Sequence, residues 1–193
     1  MIRRSLAVAG LISGLFLLAG PAQASPFDFL FNSQPSSGMQ DGRPRAVAIP
    51  RETVAYNGSE PAGSIIISTT ERRLYYVLGN GEAIRYGVGV GRPGFEWSGV
   101  RHVSAKREWP DWTPPAQMIR RRPDLPRHME GGIANPLGAR AMYLGGTLYR
   151  IHGSDEPETI GQAVSSGCIR MTNDDVVDLY NRVHVGARVT VQR

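Results

Sequence analysis

The chain has 193 residues, 41% of them hydrophobic, with 23 Gly and 14 Pro; this excludes a disordered polymer and fits one ordinary domain rich in strands and turns plus a tail. Lys and Arg number 22 against 17 Asp and Glu, a formal charge of +5. Apart from Arg120-Arg121-Arg122, read as a solvated face, the basic residues are scattered, so no nucleic-acid partner is expected, and the one cysteine, Cys168, rules out an internal disulfide.

In chain order, Arg3 and Arg4 precede an apolar run over residues 6–19, and Pro21-Ala22-Gln23-Ala24 sets small residues at both positions of an A-x-A cleavage pattern. Residues 1–24 are therefore expected to be a signal peptide. The run falls short of the ~20 residues a spanning helix needs, so the mature chain is expected to carry no transmembrane span and to be exported to the periplasm or cell envelope. There its basic surface would favour encounter with anionic polymers. Residues 25–56, rich in Pro, Ser, Gly, Gln and Asn, read as a flexible linker. Phe27, Phe29, Leu30 and Phe31 interrupt that composition.

Residues 57–193 form the expected domain. Ser64-Ile65-Ile66-Ile67-Ser68 and Arg73-Leu74-Tyr75-Tyr76-Val77-Leu78 read as strands, and Gly79-Asn80-Gly81 as a tight turn into a further strand over 83–90. Residues 100–109, 142–151 and 187–191 add strands. One helix is clear: Thr172 or Asn173 can cap it, Asp174 and Asp175 favour its positive end, and Val176, Leu179, Tyr180 and Val183 share a face. The expected fold is mostly β, a sandwich or barrel-like mixed sheet with few helices.

A lone exported thiol is either a small buried hydrophobe or a nucleophile. A nucleophilic thiol needs a base, and histidine is the natural one. Of His102, His128, His152 and His184, only His152 stands at a strand end followed by glycine, where side chains project into a cleft. The amides of Gly167 and Cys168 are candidates for an oxyanion hole, with Gly167 permitting close backbone approach. Arg170 suits a thiol-activating charge, a substrate-carboxylate clamp, or an ion pair with Asp174 or Asp175. Arg150 shares the strand face of His152 and is a second candidate substrate contact. Trp109-Pro110-Asp111-Trp112-Thr113-Pro114-Pro115 reads as a lid over the site, with Trp112 a substrate contact, or as a packed loop. Gly89-Val90-Gly91-Arg92-Pro93-Gly94 matches G-x-G-x-x-G, but Pro93 and Trp97 follow where a helix should start, which argues against a dinucleotide site.

His152-Gly153 with Ser165-Ser166-Gly167-Cys168-Ile169-Arg170 resembles the signature of the L,D-transpeptidase catalytic domain, or YkuD domain, and Gly132-Ile133-Ala134-Asn135-Pro136-Leu137-Gly138-Ala139-Arg140-Ala141 extends the likeness. The resemblance implies Cys168 as nucleophile and His152 as base, with the His oriented by a backbone carbonyl or small polar group mapping onto Ser165 or Gly153. It also implies peptidoglycan stem peptides as partners and no metal or organic cofactor. Expected activities are 3→3 cross-linking, L,D-carboxypeptidase hydrolysis, or attachment of a protein to the wall. Rival readings are a wall-binding module without turnover and a cysteine endopeptidase. Two departures stand out: Ser166, a candidate substrate contact, occupies a position where the family often has His, and Trp97-Ser98-Gly99 replaces a Thr-Pro-Thr-Gly turn.

Overall fold

A computed structural model describes residues 49–193; the expected signal peptide, and the expected linker up to residue 48, lie outside the described residues. The strands are β1 (Glu52–Ala55), β2 (Ile65–Ser68), β3 (Arg73–Val77), β4 (Glu82–Gly87), β5 (Val90–Gly91), β6 (Gly99–Glu108), β7 (Arg140–Leu144), β8 (Arg150–His152), β9 (Ala163–Ser165), β10 (Ile169–Arg170) and β11 (Arg188–Gln192). Helix α1 spans Ala116–Arg121, α2 spans Asn173–Arg182, and a single 3-10 turn covers Pro157–Thr159. The fold is mostly β with a mixed sheet and two helices, as the strand patterning predicts.

Nine strands form one sheet in the order β1-β4-β3-β2-β11-β6-β7-β8-β10. The triple isoleucine of β2 is buried on both faces, which suits a strand lying between β3 and a parallel β11. β6 belongs to two halves of the sheet. Its start pairs with β11 and its end with β7, and the register slips between Val103 and Ala105. Such a bulge bends a strand and increases its twist, and the sheet folds over a single core that joins Ile65, Ile67, Leu74 and Val189 to Val103, Met142, Ile151 and Ile169. Beyond β4 the backbone reaches the far end of the sheet, where Gly89 and Arg170 exchange two N–H···O bonds of 2.9 Å. The sheet thereby comes close to closing on itself, the barrel-like feature expected from sequence.

Three elements differ from expectation. Glu52–Ala55, read as the end of the linker, pairs antiparallel with β4 along its length. The stretch 142–151, read as one strand, is a hairpin. Thr147 Oγ1 donates to the Leu144 carbonyl at 2.8 Å and accepts the Tyr149 N–H at 3.0 Å, turning the chain between β7 and β8. Residues 116–121, for which no element was expected, form α1 within an excursion closed by the Trp109 N–H on the Ala139 carbonyl.

Helix α2 begins four residues after Ile169, close to the candidate nucleophile. Thr172 provides its cap, accepting the Asp175 N–H at 3.2 Å. Val176 and Leu179 face the core, and the buried Tyr86 hydroxyl donates to Asp178 at 2.6 Å. Asp178 also receives two 3.0 Å bonds from Arg182, one turn on. The segment that carries Cys168 into α2 is thus held from both ends.

Candidate active site

β8 and β10 run parallel with Ile151 opposite Ile169 and His152 opposite Arg170. Both isoleucines are buried in the core. Because strand side chains alternate between faces, their neighbours Arg150 and His152 on β8, and Cys168 and Arg170 flanking Ile169, turn to the opposite face together. Strand spacing and rise place the Cα atoms of Cys168 and His152 ~8 Å apart on that face, a span that a thiol and an imidazole can close.

The electrostatics agree with this placement. Burial first, and the charges of Arg170 and Arg150 after it, push the His152 imidazole down to about 3, against the opposing pull of the Gly153 carbonyl. Burial pushes the Cys168 thiol up, only partly offset by Arg150 contacts and by the Arg170 charge. At neutral pH the pair therefore rests as thiol and neutral imidazole, and the thiol lies 3.9 Å from the Leu148 carbonyl.

His152 Nδ1 lies 2.6 Å from the Gly153 carbonyl. A carbonyl only accepts, so this contact assigns the proton to Nδ1 and leaves the Nε2 lone pair free to take a proton. Gly153 itself is gripped closely. A Cβ there would stand 2.2 Å from Asn173 Oδ1 and 3.0 Å from the Ala139 nitrogen. Asn173 ties the neighbourhood together, accepting the Ala139 N–H at 2.9 Å and donating to the Ser154 carbonyl at 3.1 Å.

The turn before Cys168 is held by Ser165, whose hydroxyl donates to the Cys168 carbonyl at 2.6 Å and accepts the Gly167 N–H at 3.1 Å. The Gly167 amide, one of the two candidate oxyanion donors, is thus committed to the turn, and the Cys168 N–H is the other candidate. Gly167 has φ +105, and a Cβ there would meet the Tyr149 ring at 2.5 Å, so glycine answers both the backbone conformation and the close packing.

The remaining expected residues divide. Ser166, expected to touch substrate, receives a 3.2 Å bond from Arg92. Arg170 pairs with Glu156 at 2.8 Å, and neither Asp174 nor Asp175 is its partner. Arg150 starts β8, two residues before His152, and places its guanidinium 5.1 Å from the Tyr143 ring centre. Trp112, expected as a substrate contact, is buried and bonded through its backbone to Met129 in both directions at 2.8 Å. It packs within the excursion, as the packed-loop alternative expects. The excursion still reaches the rim of the site, since Arg121 of α1 lies over Phe95 at 5.2 Å and the Phe95 carbonyl borders Gly167. Sequence reasoning missed Arg92, Glu156 and Asn173. An aromatic inside a Gly/Pro-rich turn was the available signal for Trp97, whose indole donates to the Gly167 carbonyl at 2.7 Å.

The chain is 36% identical over 166 residues to "Probable L,D-transpeptidase ErfK/SrfK" of Escherichia coli K12, covering 81% of this chain and 50% of that protein. It is 35% identical over 176 residues to "Probable L,D-transpeptidase YcfS" of the same organism, covering 84% and 54%. It thus spans about half the length of these relatives. Among solved structures, L,D-transpeptidase 3 of Mycobacterium tuberculosis shares the fold at TM-score 0.57 and 18% identity, over 69% of this chain and 62% of that one. A Brucella melitensis protein described as a probable carnitine operon oxidoreductase is 46% identical at TM-score 0.51, over 75% and 94%. The family profile for the L,D-transpeptidase catalytic domain matches residues 62–191, and the chain belongs to that family, the YkuD family.

Proposed function

We propose that the chain is an exported L,D-transpeptidase, a cysteine acyltransferase acting on peptidoglycan stem peptides. Cys168 Sγ attacks the carbonyl between the third and fourth residues of a donor tetrapeptide stem while its proton passes to His152 Nε2. The tetrahedral oxyanion is met by the Cys168 N–H. Collapse leaves a thioester on Cys168, and the His152 proton goes to the departing D-Ala amine. His152, neutral again, deprotonates the third-residue amine of an acceptor stem, which attacks the thioester, frees Cys168 and forms a 3→3 cross-link. Water as acceptor gives L,D-carboxypeptidase hydrolysis, and a protein amine gives attachment to the wall. The leader-like residues 1–24 support export to the periplasm or cell envelope, and no helix among the described residues is long and apolar enough to cross a membrane.

The observation that carries this reading is the pairing of β8 with β10, which brings the His152 strand beside the Cys168 turn, with a buried imidazole whose Nδ1 is committed to the Gly153 carbonyl and whose Nε2 is left to take a proton. Arg170, held by Glu156, borders the same face and suits recognition of a stem carboxylate.

The oxidoreductase description of the Brucella relative brings a second reading, and Gly89–Gly94 is where a dinucleotide would have to sit. The Gly89, Val90 and Arg92 N–H groups donate to the Arg170, Gln162 and Ser165 carbonyls, and the segment runs on into β6 without a helix start. A pyrophosphate needs such amides free and a helix N-terminus behind them, so the acyl-transfer reading stands better.

Incubation of the protein with disaccharide-tetrapeptides, with products identified by mass, tests it. Expected are loss of D-Ala and dimers joined through third residues, or tripeptides where water accepts. Exposure to a carbapenem should add one drug mass at Cys168. Absence of both products and adduct would refute the proposal.

A further inference from the structure

The peptide that joins Gly167 to Cys168 carries the proposed oxyanion donor, and its orientation is set from outside the catalytic turn. The peptides on either side of it are secured by Ser165, which holds the Gly167 N–H and the Cys168 carbonyl. The middle plane is not held by Ser165. Its carbonyl, that of Gly167, accepts the Trp97 indole N–H at 2.7 Å. All peptides among the described residues are trans, and in a trans unit the C=O and N–H point in opposite directions across one rigid plane. Fixing the Gly167 oxygen toward Trp97 therefore aims the Cys168 N–H away from it. A glycine at φ +105 imposes little resistance of its own to rotation of that plane, so the indole bond is the restraint that decides where the N–H points.

The indole is itself well positioned. Trp97 stacks on Tyr149 with ring centres 4.6 Å apart and planes 3° from parallel. Tyr149 lies one residue before β8, has its backbone tied on both sides, by its N–H to Thr147 and by its carbonyl to the Leu144 N–H, and presses its ring edge against Gly167. Trp97 is where this chain departs from the Thr-Pro-Thr-Gly turn, and that departure acquires a use.

We propose that Trp97 is a positioning residue for acyl transfer, whose indole N–H orients the Gly167–Cys168 peptide so that the Cys168 N–H meets the developing oxyanion. This rests on the acyl-transfer reading above. A purely structural role for Trp97 would move every reaction of the thiol together. An orienting role separates two reactions: acylation passes through a tetrahedral oxyanion, whereas alkylation by iodoacetamide is a displacement at carbon with no oxyanion to stabilise.

The test compares carbapenem acylation and tetrapeptide turnover with iodoacetamide alkylation in wild type, Trp97→Phe, and a protein carrying 3-benzothienylalanine at position 97, which keeps the bicyclic stack and replaces only the N–H. Removing a direct oxyanion donor typically costs ~10² to 10³ in rate, and a misaimed donor is expected to cost ~10- to 100-fold in kcat and acylation, with KM for the donor and the alkylation rate within about twofold of wild type. Unchanged acylation in the benzothienyl protein, or acylation and alkylation falling in parallel, would overturn the proposal. Should the Phe variant lose thermal stability, the benzothienyl protein decides. Failure of wild type itself to be acylated would count against the acyl-transfer reading instead.

Discussion

Arg170 donates to the Glu156 carboxylate at 2.8 Å across the loop that leaves His152, and the same guanidinium is the largest charge holding the His152 imidazole down, second only to burial. One side chain is thus shared between a surface carboxylate and the proposed base. Arg170→Gln is expected to raise the His152 pKa and move the acid limb of kcat/KM for acylation upward. Arg170→Lys should leave that limb near its wild-type position while weakening use of tetrapeptide donors, because Lys keeps the charge and loses the planar fork. An acid limb that does not move in Arg170→Gln would remove this charge from the control of the base.

The wild-type pH dependence follows from the His152 shift, with a definite sign. The folded imidazole stays neutral down to about 3, whereas an unfolded one takes its proton near 6.5. Between those values the unfolded chain binds more protons, so the contribution of His152 to stability is complete above ~6.5 and is lost as pH falls toward ~3. Acylation should persist well below pH 6.5, since the base remains neutral there. Denaturant titrations between pH 4 and 7 should show stability falling on acidification, with a shallower slope in His152→Asn. Identical slopes for the two proteins would contradict a buried neutral imidazole.

How much of this was legible in the sequence depended on range. Cys168 and His152 stood out as candidates through local context: a lone thiol beside Gly167, and one histidine between a strand and a glycine. The β2 to β4 meander and α2 were readable because their periodicities and caps lie within a dozen residues. What escaped was set by distant partners. Trp97 meets Gly167, Arg92 meets Ser166, and Tyr86 meets Asp178, contacts that only the folded sheet brings together. The β7–β8 hairpin was hidden because Leu148 and Tyr149 continue the apolar run through the turn. Glu52–Ala55 looked like linker because an edge strand, paired on one side and largely exposed, needs little hydrophobic patterning.

Ser165 provides a separate test of the catalytic turn. Its buried hydroxyl is the common partner of the Gly167 N–H and the Cys168 carbonyl. Ser165→Ala leaves both groups without that partner and is expected to cost ~1–3 kcal/mol, seen as a lower denaturation midpoint. Because it loosens the peptides flanking the nucleophile, acylation should slow even at temperatures where the variant is fully folded. Acylation at the wild-type rate in folded Ser165→Ala would mean that the turn keeps its shape without the hydroxyl.

Gly153 is tightly enclosed, and its carbonyl fixes the His152 tautomer. A methyl at Gly153 would stand 2.2 Å from Asn173 Oδ1, far inside contact distance, and Asn173 cannot withdraw freely while it bonds Ala139 and Ser154. Gly153→Ala should therefore be destabilising by ~1–3 kcal/mol as an overpacked site, and should slow acylation by shifting the carbonyl that faces His152 Nδ1. Asn173→Ala removes the obstacle and strands the Ala139 N–H and the Ser154 carbonyl, with a cost of its own. If the clash is with Asn173, the double variant should be less destabilised than the sum of the two singles, by a coupling of ~0.5–3 kcal/mol. Equilibrium unfolding of all four proteins measures it. Additive costs would place the obstruction at Ala139 or Gly138, whose atoms lie 3.0 and 3.2 Å from the same position, and would leave Asn173 as a tie between loops with no part in setting the His152 carbonyl.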